Sequence, residues 1–274
     1  MTKTLFRWAG GKTKMIKHFQ PYLNPNGRTT YVEPFFGAGA VFQHMQTNYR
    51  FEKCVINDVN PYLMKLFEQV KTNLQEFEPL YLNLLAQWRS LPFEKRKSFY
   101  YETRTHFLAM EESDPLFYPT QFFLMQTCFN GLWKTMIDSG DRFASACGLT
   151  NRQVPNIDLA AWESLLQNSE IKNGTYSELD VPENSFVFCD PPYRDCSVDY
   201  KVEFDDTTQL ELVEWCRKLH KDKGCKVLLC NKEMDDNFFS SNASDAKHCS
   251  FDYVHTAGRG KNKKSVKEIL MVWE

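Results

Sequence analysis

An acidic side chain, two prolines and an aromatic ring, Asp190-Pro191-Pro192-Tyr193, follow directly on the apolar run Phe186-Val187-Phe188-Cys189. The run reads as a buried strand, so the four residues stand where it ends. That arrangement suits chemistry on an exocyclic amine. A carboxylate and a backbone carbonyl can accept the two protons of an NH2 group, and a proline that cannot continue the ladder leaves a carbonyl free to point outward. Tyr193 offers a flat face on which a base can stack. An Asp-Pro step is also ordinary turn chemistry, so the rest of the chain must decide.

A second chemical element lies near the N-terminus. After Tyr31-Val32 comes Glu33-Pro34-Phe35-Phe36-Gly37-Ala38-Gly39-Ala40, a turn in which two glycines let backbone approach a ligand before a helix begins. The position three beyond Gly39 is Phe42, not the third glycine of a dinucleotide fingerprint, which argues against an NAD-dependent dehydrogenase. Asn57-Asp58 follows the next strand, and Asp58 lies about twenty positions beyond the glycine loop, where a carboxylate can bind a ribose diol. Its alternative role is to cap the helix starting near Pro61, for which Asn60 competes. Arg7-Trp8-Ala9-Gly10-Gly11-Lys12 joins two permissive glycines to a ring and a cation, suited to closing over a carboxylate or nucleotide. It lacks the spacing of a P-loop.

The elements that must position these groups follow from periodicity. Thr30–Val32 and Lys53–Ile56 read as strands flanking a helix from Ala40 to about Tyr49, the opening of a parallel β-α-β unit. From Pro61 to about Met110 apolar residues recur at helical spacing. Strand patterns return at Phe186–Cys189, Lys226–Cys230 and Ile269–Trp273, with a helix from Gln209 to His220. The expected fold is α/β, a mostly parallel Rossmann-like sheet interrupted by a helical insertion.

With 274 residues, 42% of them hydrophobic, the chain can bury a full core, as one large domain or a domain carrying an insertion. A net charge of −2 and a pI near 6.3 do not announce a nucleic-acid partner, so any such binding must come from local cation clusters. Nine cysteines without a CxxC pair read as free thiols in a reducing compartment. No signal-peptide pattern and no apolar run of about 18 residues occur. The expectation is a cytoplasmic protein without an obligatory protein partner.

Taken in order, Arg7–Lys12, Val32–Gly39, Asn57-Asp58 and Asp190–Tyr193 resemble the DNA adenine methyltransferase (Dam) family over nearly the whole chain. The resemblance implies an S-adenosylmethionine-binding catalytic domain formed by residues 1–60 and 165–274, with a mainly helical DNA target-recognition domain inserted at 61–164. It implies cofactor contacts from Trp8, Lys12, Glu33, Pro34, Phe36, Gly37, Ala38, Gly39, Asp58 and Asp190. Asp190, Pro191, Pro192 and Tyr193 would carry the transfer to adenine N6 in double-stranded DNA. The N6 lone pair is delocalised into the ring, so hydrogen bonds donated by the NH2 group to Asp190 and the Pro191 carbonyl should favour a pyramidal, nucleophilic nitrogen. A paired adenine cannot reach such a pocket, so the base should be flipped out. Neither a covalent enzyme intermediate nor a metal is required.

Three cation clusters are candidates for phosphate binding: Lys12, Lys14 and Lys17; Lys95-Arg96-Lys97; and the glycine-containing run with Arg259, Lys261, Lys263, Lys264 and then Lys267. The last suits a loop following a DNA backbone, which would place the protein on the nucleoid. The Lys95 cluster reads as helix surface decoration. Cys128-Phe129-Asn130-Gly131-Leu132-Trp133-Lys134 resembles the family's Asn-Gly-Leu hairpin entrance, and Asn-Gly is itself a hairpin signal. Lys134 stands where the family usually has Arg, and Phe143–Gly148 departs from the family's following stretch. Lys is a mobile point charge where Arg is a two-pronged fork, so GATC specificity does not transfer directly. Arg142 and Arg152 are the alternative guanine contacts, and a relaxed or altered motif competes with GATC. Remaining alternatives are an RNA adenine or cytosine-N4 methyltransferase and a catalytically silent DNA-binding relative. The biological role, whether DNA marking, restriction-modification or phage counter-defence, depends on the host.

Overall fold

The computed structural model describes residues 3–8, 10–131, 143–151, 153–194, 204–254 and 265–274. Two compact units emerge. One contains residues 12–36, 40–61 and 168–274, and is built on a seven-stranded sheet. Its strands are β1 (Thr30–Glu33), β2 (Lys53–Asp58), β3 (Ser169–Asn173), β4 (Phe186–Cys189), β5 (Lys226–Lys232), β6 (Lys247–Val254) and β7 (Ser265–Trp273). They lie in the order β3-β2-β1-β4-β5-β7-β6, and only β7 runs antiparallel to its neighbours. The Rossmann-like α/β expectation holds, with β3 and β6 as strands that periodicity did not single out. β3 is mostly exposed, so no continuous apolar run marks it.

β4 is apolar and buried along its whole length, as a central parallel strand covered on both faces must be. One face packs Val32, Val187, Cys189, Leu229, Ile269 and Met271 against Leu212, Val213 and Cys216 of helix α8 (Asp206–Lys223). The α8 N-terminus is capped by the Asp205 side chain, which accepts from the Thr208 N–H at 2.8 Å. The opposite face is met by the segment from Lys12 to Tyr22, whose Phe19 packs on Phe188 and Phe251. That segment contains the short helix α1 (Ile16–Phe19), and helix α2 (Ala40–Tyr49) follows β1.

The other unit, residues 1–11, 37–39 and 62–167, is helical. Its elements are α3 (Pro61–Thr72), α4 (Leu74–Ser90), α5 (Phe93–Ala109), α6 (Phe117–Thr127) and α7 (Leu159–Leu166). Most of α6 is buried, its Phe122 and Phe123 set among Phe77, Tyr81, Trp88 and Phe99. Such an all-round apolar helix forms the middle of a helical core. No described helix is long and apolar enough to cross a membrane.

Candidate active site

The sheet order reverses between β1 and β4: β2 and β3 lie outward on one side, β5 and β7 on the other. Groups beyond the carboxyl ends of these two central strands therefore flank a crevice, the place where open α/β sheets bind ligands. Glu33 ends β1 and Asp190 follows β4, so the topology brings together two motifs far apart in the chain.

Glu33 itself is 3% exposed. Its Oε2 accepts the Tyr31 hydroxyl at 2.7 Å and the Phe42 N–H at 3.0 Å, so the carboxyl ties the end of β1 to the first turn of α2. Burial pushes its pKa well above the usual carboxylate range, against the Tyr31 hydrogen bond. The following turn is fixed by Asn57, whose Nδ2 donates to the carbonyls of Pro34 at 3.0 Å and Gly174 at 2.9 Å, while its own carbonyl accepts the Phe36 N–H. Pro34 and Phe36 are thus buried and held in place.

Asp190 retains 20% of its side-chain surface, and the Lys12 ammonium lies 2.9 Å from its Oδ1 with only 5% exposed. Burial alone would lower the Lys12 pKa, but the negative charge of Asp190, and behind it that of Glu268, raises it overall, so Lys12 is a cation. Burial raises the Asp190 pKa, and Lys12 opposes the rise by both charge and hydrogen bonding. The Lys12 ammonium also stands 4.6 Å from the Tyr193 ring centroid, a cation–π contact. The Tyr193 hydroxyl is 2.9 Å from Cys230 Sγ in the interior. Of the cluster Lys12, Lys14 and Lys17, Lys12 is buried in this pair. Lys14 and Lys17 of the same cluster are exposed.

The turn after Asp190 is gripped from two sides. Gln209 and Asn231 are fully buried; Gln209 donates to the Pro192 carbonyl at 2.9 Å and accepts from Asn231 Nδ2 at 3.0 Å. Asn231 Oδ1 in turn accepts the Arg194 N–H at 3.2 Å. The Arg194 guanidinium forks onto both Asp206 oxygens at 2.6 and 2.8 Å, reaches Asp236 at 2.5 Å and lies over the Phe238 ring at 4.1 Å. Sequence reasoning missed Gln209, Asn231, Arg194 and Glu268. The available signal was polarity inside strands, Asn231 closing Val227–Cys230 and Glu268 opening Ile269–Trp273.

In the helical unit, Gly37 has φ of +50°, and a Cβ there would sit 2.9 Å from Trp8 Cδ1 and 3.1 Å from Nε1. Only glycine permits this approach of backbone to indole. Gly39 also has positive φ, at +67°, and Ala38 between them is buried. Asp58 is half-buried and its Oδ1 accepts the Asn60 N–H at 3.0 Å, the turn-forming role weighed against ribose binding.

Asn130 is exposed, and Asn130 and Gly131 take φ of +58° and +67°, as an Asn-Gly turn requires. They lie in a 3-10 turn, Phe129–Gly131, and the preceding Cys128 pairs antiparallel with Cys147. Within the Lys95 cluster, Lys95 and Lys97 are exposed, whereas Arg96 donates to the carbonyls of Leu91, Thr150 and Arg89 and stacks on Trp88. Lys267 is exposed on β7. Lys134, Arg142, Arg152, Arg259, Lys261, Lys263 and Lys264 lie outside the described residues.

Chemically, the crevice presents a partly exposed carboxylate, a paired ammonium and an aromatic ring. The buried thiols do not offer a nucleophile, since burial pushes Cys189 and Cys230 well above the usual thiol range and Cys54 up to about 12. Among the described residues no cluster of three or more His, Cys, Asp and Glu has metal-binding geometry.

The sequence pattern of the D12 class N6 adenine-specific DNA methyltransferases matches residues 8–256. The chain is 33% identical over 254 residues to the type II methyltransferase M.MjaIII of Methanocaldococcus jannaschii, covering 86% of each protein. It is 28% identical to a DNA adenine methylase of Vibrio cholerae over 84% of this chain and 82% of that one. A DNA adenine methylase of Haemophilus influenzae is 25% identical, over 99% of this chain and 93% of its own length. With the family pattern spanning both the glycine turn and the Asp190 motif, the chain belongs to the D12 class N6 adenine-specific DNA methyltransferases.

Proposed function

We propose that this adenine-specific DNA methyltransferase uses S-adenosylmethionine and acts on an adenine flipped out of double-stranded DNA, with Asp190 and the Pro191 carbonyl accepting the two N6 protons. The observation that carries the reading is Asp190 itself: a partly exposed carboxylate at the carboxyl end of a central strand, paired with Lys12 at 2.9 Å. Gln209 engages the Pro192 carbonyl, so the Pro191 carbonyl is the turn's acceptor for the incoming amine.

The residues present fit a nucleoside sulfonium. In one unit the Trp8 indole stands beside a Gly37 backbone that admits no side chain, a ring with close backbone; in the other the half-buried Asp58 carboxylate is a diol acceptor. We assign Trp8, Gly37, Ala38, Gly39 and Asp58 to the cofactor, while Glu33, Pro34 and Phe36 shape the turn. S-adenosylmethionine supplies, when bound, a methyl group activated by its sulfonium. The chain's part is to orient N6, restore its lone pair and exclude water. Tyr193 supports the flipped base.

We assign residues 1–60 and 165–274 to cofactor binding and transfer, and 61–164 to target recognition, with Asn130, Lys134, Arg142 and Arg152 as base-side contacts. Arg259, Lys261, Lys263 and Lys264 follow the phosphates. Lys134 in place of arginine favours a motif that relaxes or alters GATC. Tritiated-methyl transfer to unmethylated genomic DNA, followed by modification-sensitive sequencing, tests the whole reading. N6-methyladenine in one motif other than GATC, or spread over related motifs, is the expected result. Methylation confined to GATC overturns the altered-specificity assignment, and methylcytosine or product in RNA alone overturns the adenine-in-DNA reading.

A further inference from the structure

A second carboxylate shares the buried charge cluster around Lys12. Glu268 opens the apolar part of β7 and is 1% exposed. Strand alternation fixes its face. Ile269, Met271 and Trp273 belong to the α8-side core, so Glu268 and Leu270 point to the opposite side of the sheet. Leu270 is in register with Cys230, and Glu268 with Lys232, on β5. Glu268 therefore lies on the sheet face that carries Cys230 and is covered by the Lys12–Tyr22 segment.

A carboxylate on a buried strand face is costly unless paired. Its charged and titratable neighbours are Lys12 from the covering segment, Asp190 and Tyr193 from the catalytic turn, and Cys230 and Lys232 from β5. Burial raises the Glu268 pKa, Lys12 lowers it, Asp190 raises it, and a hydrogen bond from the Tyr193 hydroxyl lowers it. The same hydroxyl meets Cys230 Sγ at 2.9 Å. Tyr193 is thereby held at its hydroxyl end by Cys230, on the sheet face that Glu268 shares, while Lys12 lies against its ring.

We propose that Glu268 is a positioning residue for methyl transfer: a buried carboxylate on the sheet face covered by the Lys12 segment, its charge acts on the Lys12–Asp190 pair and on the Tyr193 end of the turn. The inference rests on the reading of Asp190 as the amine acceptor. With one ammonium between two carboxylates, Asp190 is neutralised less completely than in an isolated ion pair, and stays the stronger hydrogen-bond acceptor for the N6 protons. Glu268 touches neither substrate nor cofactor in this scheme and acts only through Lys12, Asp190 and Tyr193.

The test is the pH dependence of kcat on duplex DNA for the full chain, wild type against Glu268→Gln and Glu268→Asp, with melting curves as the folding control. Removing the charge leaves Lys12 wholly to Asp190, so Glu268→Gln should move the acid limb to lower pH by about half a unit or more. Its kcat at neutral pH should fall roughly tenfold, with KM for S-adenosylmethionine little changed. Glu268→Asp keeps the charge but withdraws it from Tyr193, and should hold the acid limb while lowering kcat. Wild-type turnover in the Asp variant overturns the proposal even if the Gln variant does not fold. An acid limb for Glu268→Gln that superposes on wild type overturns it as well. Asp190→Ala separates this from the underlying reading: an inactive Asp190→Ala beside a wild-type-like Glu268→Gln rejects the role of Glu268 alone, and an active Asp190→Ala rejects the acceptor role of Asp190.

Discussion

Lys12 Nζ and Asp190 Oδ1 stand 2.9 Å apart, with the lysine almost wholly removed from solvent. The carboxylate proposed to accept the amine is therefore also one half of a buried ion pair, and removing it has two consequences. Asp190→Ala should lose methyl transfer by about 10²- to 10³-fold or more. It should also lower stability by about 3 kcal/mol, because the buried Lys12 ammonium loses its ion pair at 2.9 Å. Lys12→Met in the same chain should recover much of the stability and none of the activity. Denaturant titration with single-turnover assays on the single and double variants checks both. Equal stability of wild type and Asp190→Ala would mean that water reaches Lys12.

The same pair sets a pH dependence. Burial raises the Asp190 pKa and Lys12 pulls it down, and the net shift is upward. Asp190 accepts N6 protons only when ionised, so activity should fall as the pH drops through a value above the usual carboxylate range. Lys12→Met removes the opposing charge and should move that acid limb further up, by about one unit or more. A limb that stays fixed would assign the titration to another group.

The buried amides behind the turn should matter for both fold and rate. Gln209→Ala strands Asn231 Nδ2 and the Pro192 carbonyl without their partner. A cost of about 1–3 kcal/mol follows for each buried polar group left unsatisfied. Freed from this grip, the Asp190–Tyr193 turn should also misplace its acceptors. Turnover falling alongside an unchanged cofactor affinity in calorimetry is the expected pattern.

At Gly37 the strain is local. Alanine there adds a Cβ at 2.9 Å from the Trp8 ring on a backbone of φ +50°. The variant should lose roughly 1 kcal/mol or more of stability. Its affinity for S-adenosylmethionine should weaken more than its affinity for DNA. Equilibrium binding of each ligand separately distinguishes a damaged cofactor contact from general unfolding.

Lys261→Ala with Lys263→Ala probes the proposed phosphate contacts. Each lost phosphate contact should reduce the slope of log affinity against log salt by about one. Cofactor binding should be unaffected. A salt slope equal to that of wild type would return this run to ordinary solvated surface.

How much of this was legible in advance depended on how local the determinant was. The β4 strand and its Asp-Pro-Pro-Tyr turn were readable because a continuous apolar run broken by proline specifies a buried strand end regardless of what surrounds it. The helix Ala40–Tyr49 was readable from its own spacing, and the family from the order of four short motifs. The mostly exposed β3 carried no such signal. The Asn130-Gly131 dipeptide carried the correct backbone preference and said nothing of the pairing. Positive φ is a property of two residues, whereas the partner of Cys128 is chosen by a segment beyond them.

By itself, the sequence determined the apolar strands β1, β2, β4, β5 and β7, the glycine turn and the chemical character of the Asp190–Tyr193 motif, since each follows from neighbouring residues. Only the tertiary structure decided that Lys12 pairs with Asp190, and that Gln209 and Asn231 hold the turn's backbone. It alone placed Glu268 in the Lys12 charge cluster. Charges and buried amides act through space at a few ångströms, and their partners come from strands and segments that the chain order keeps far apart.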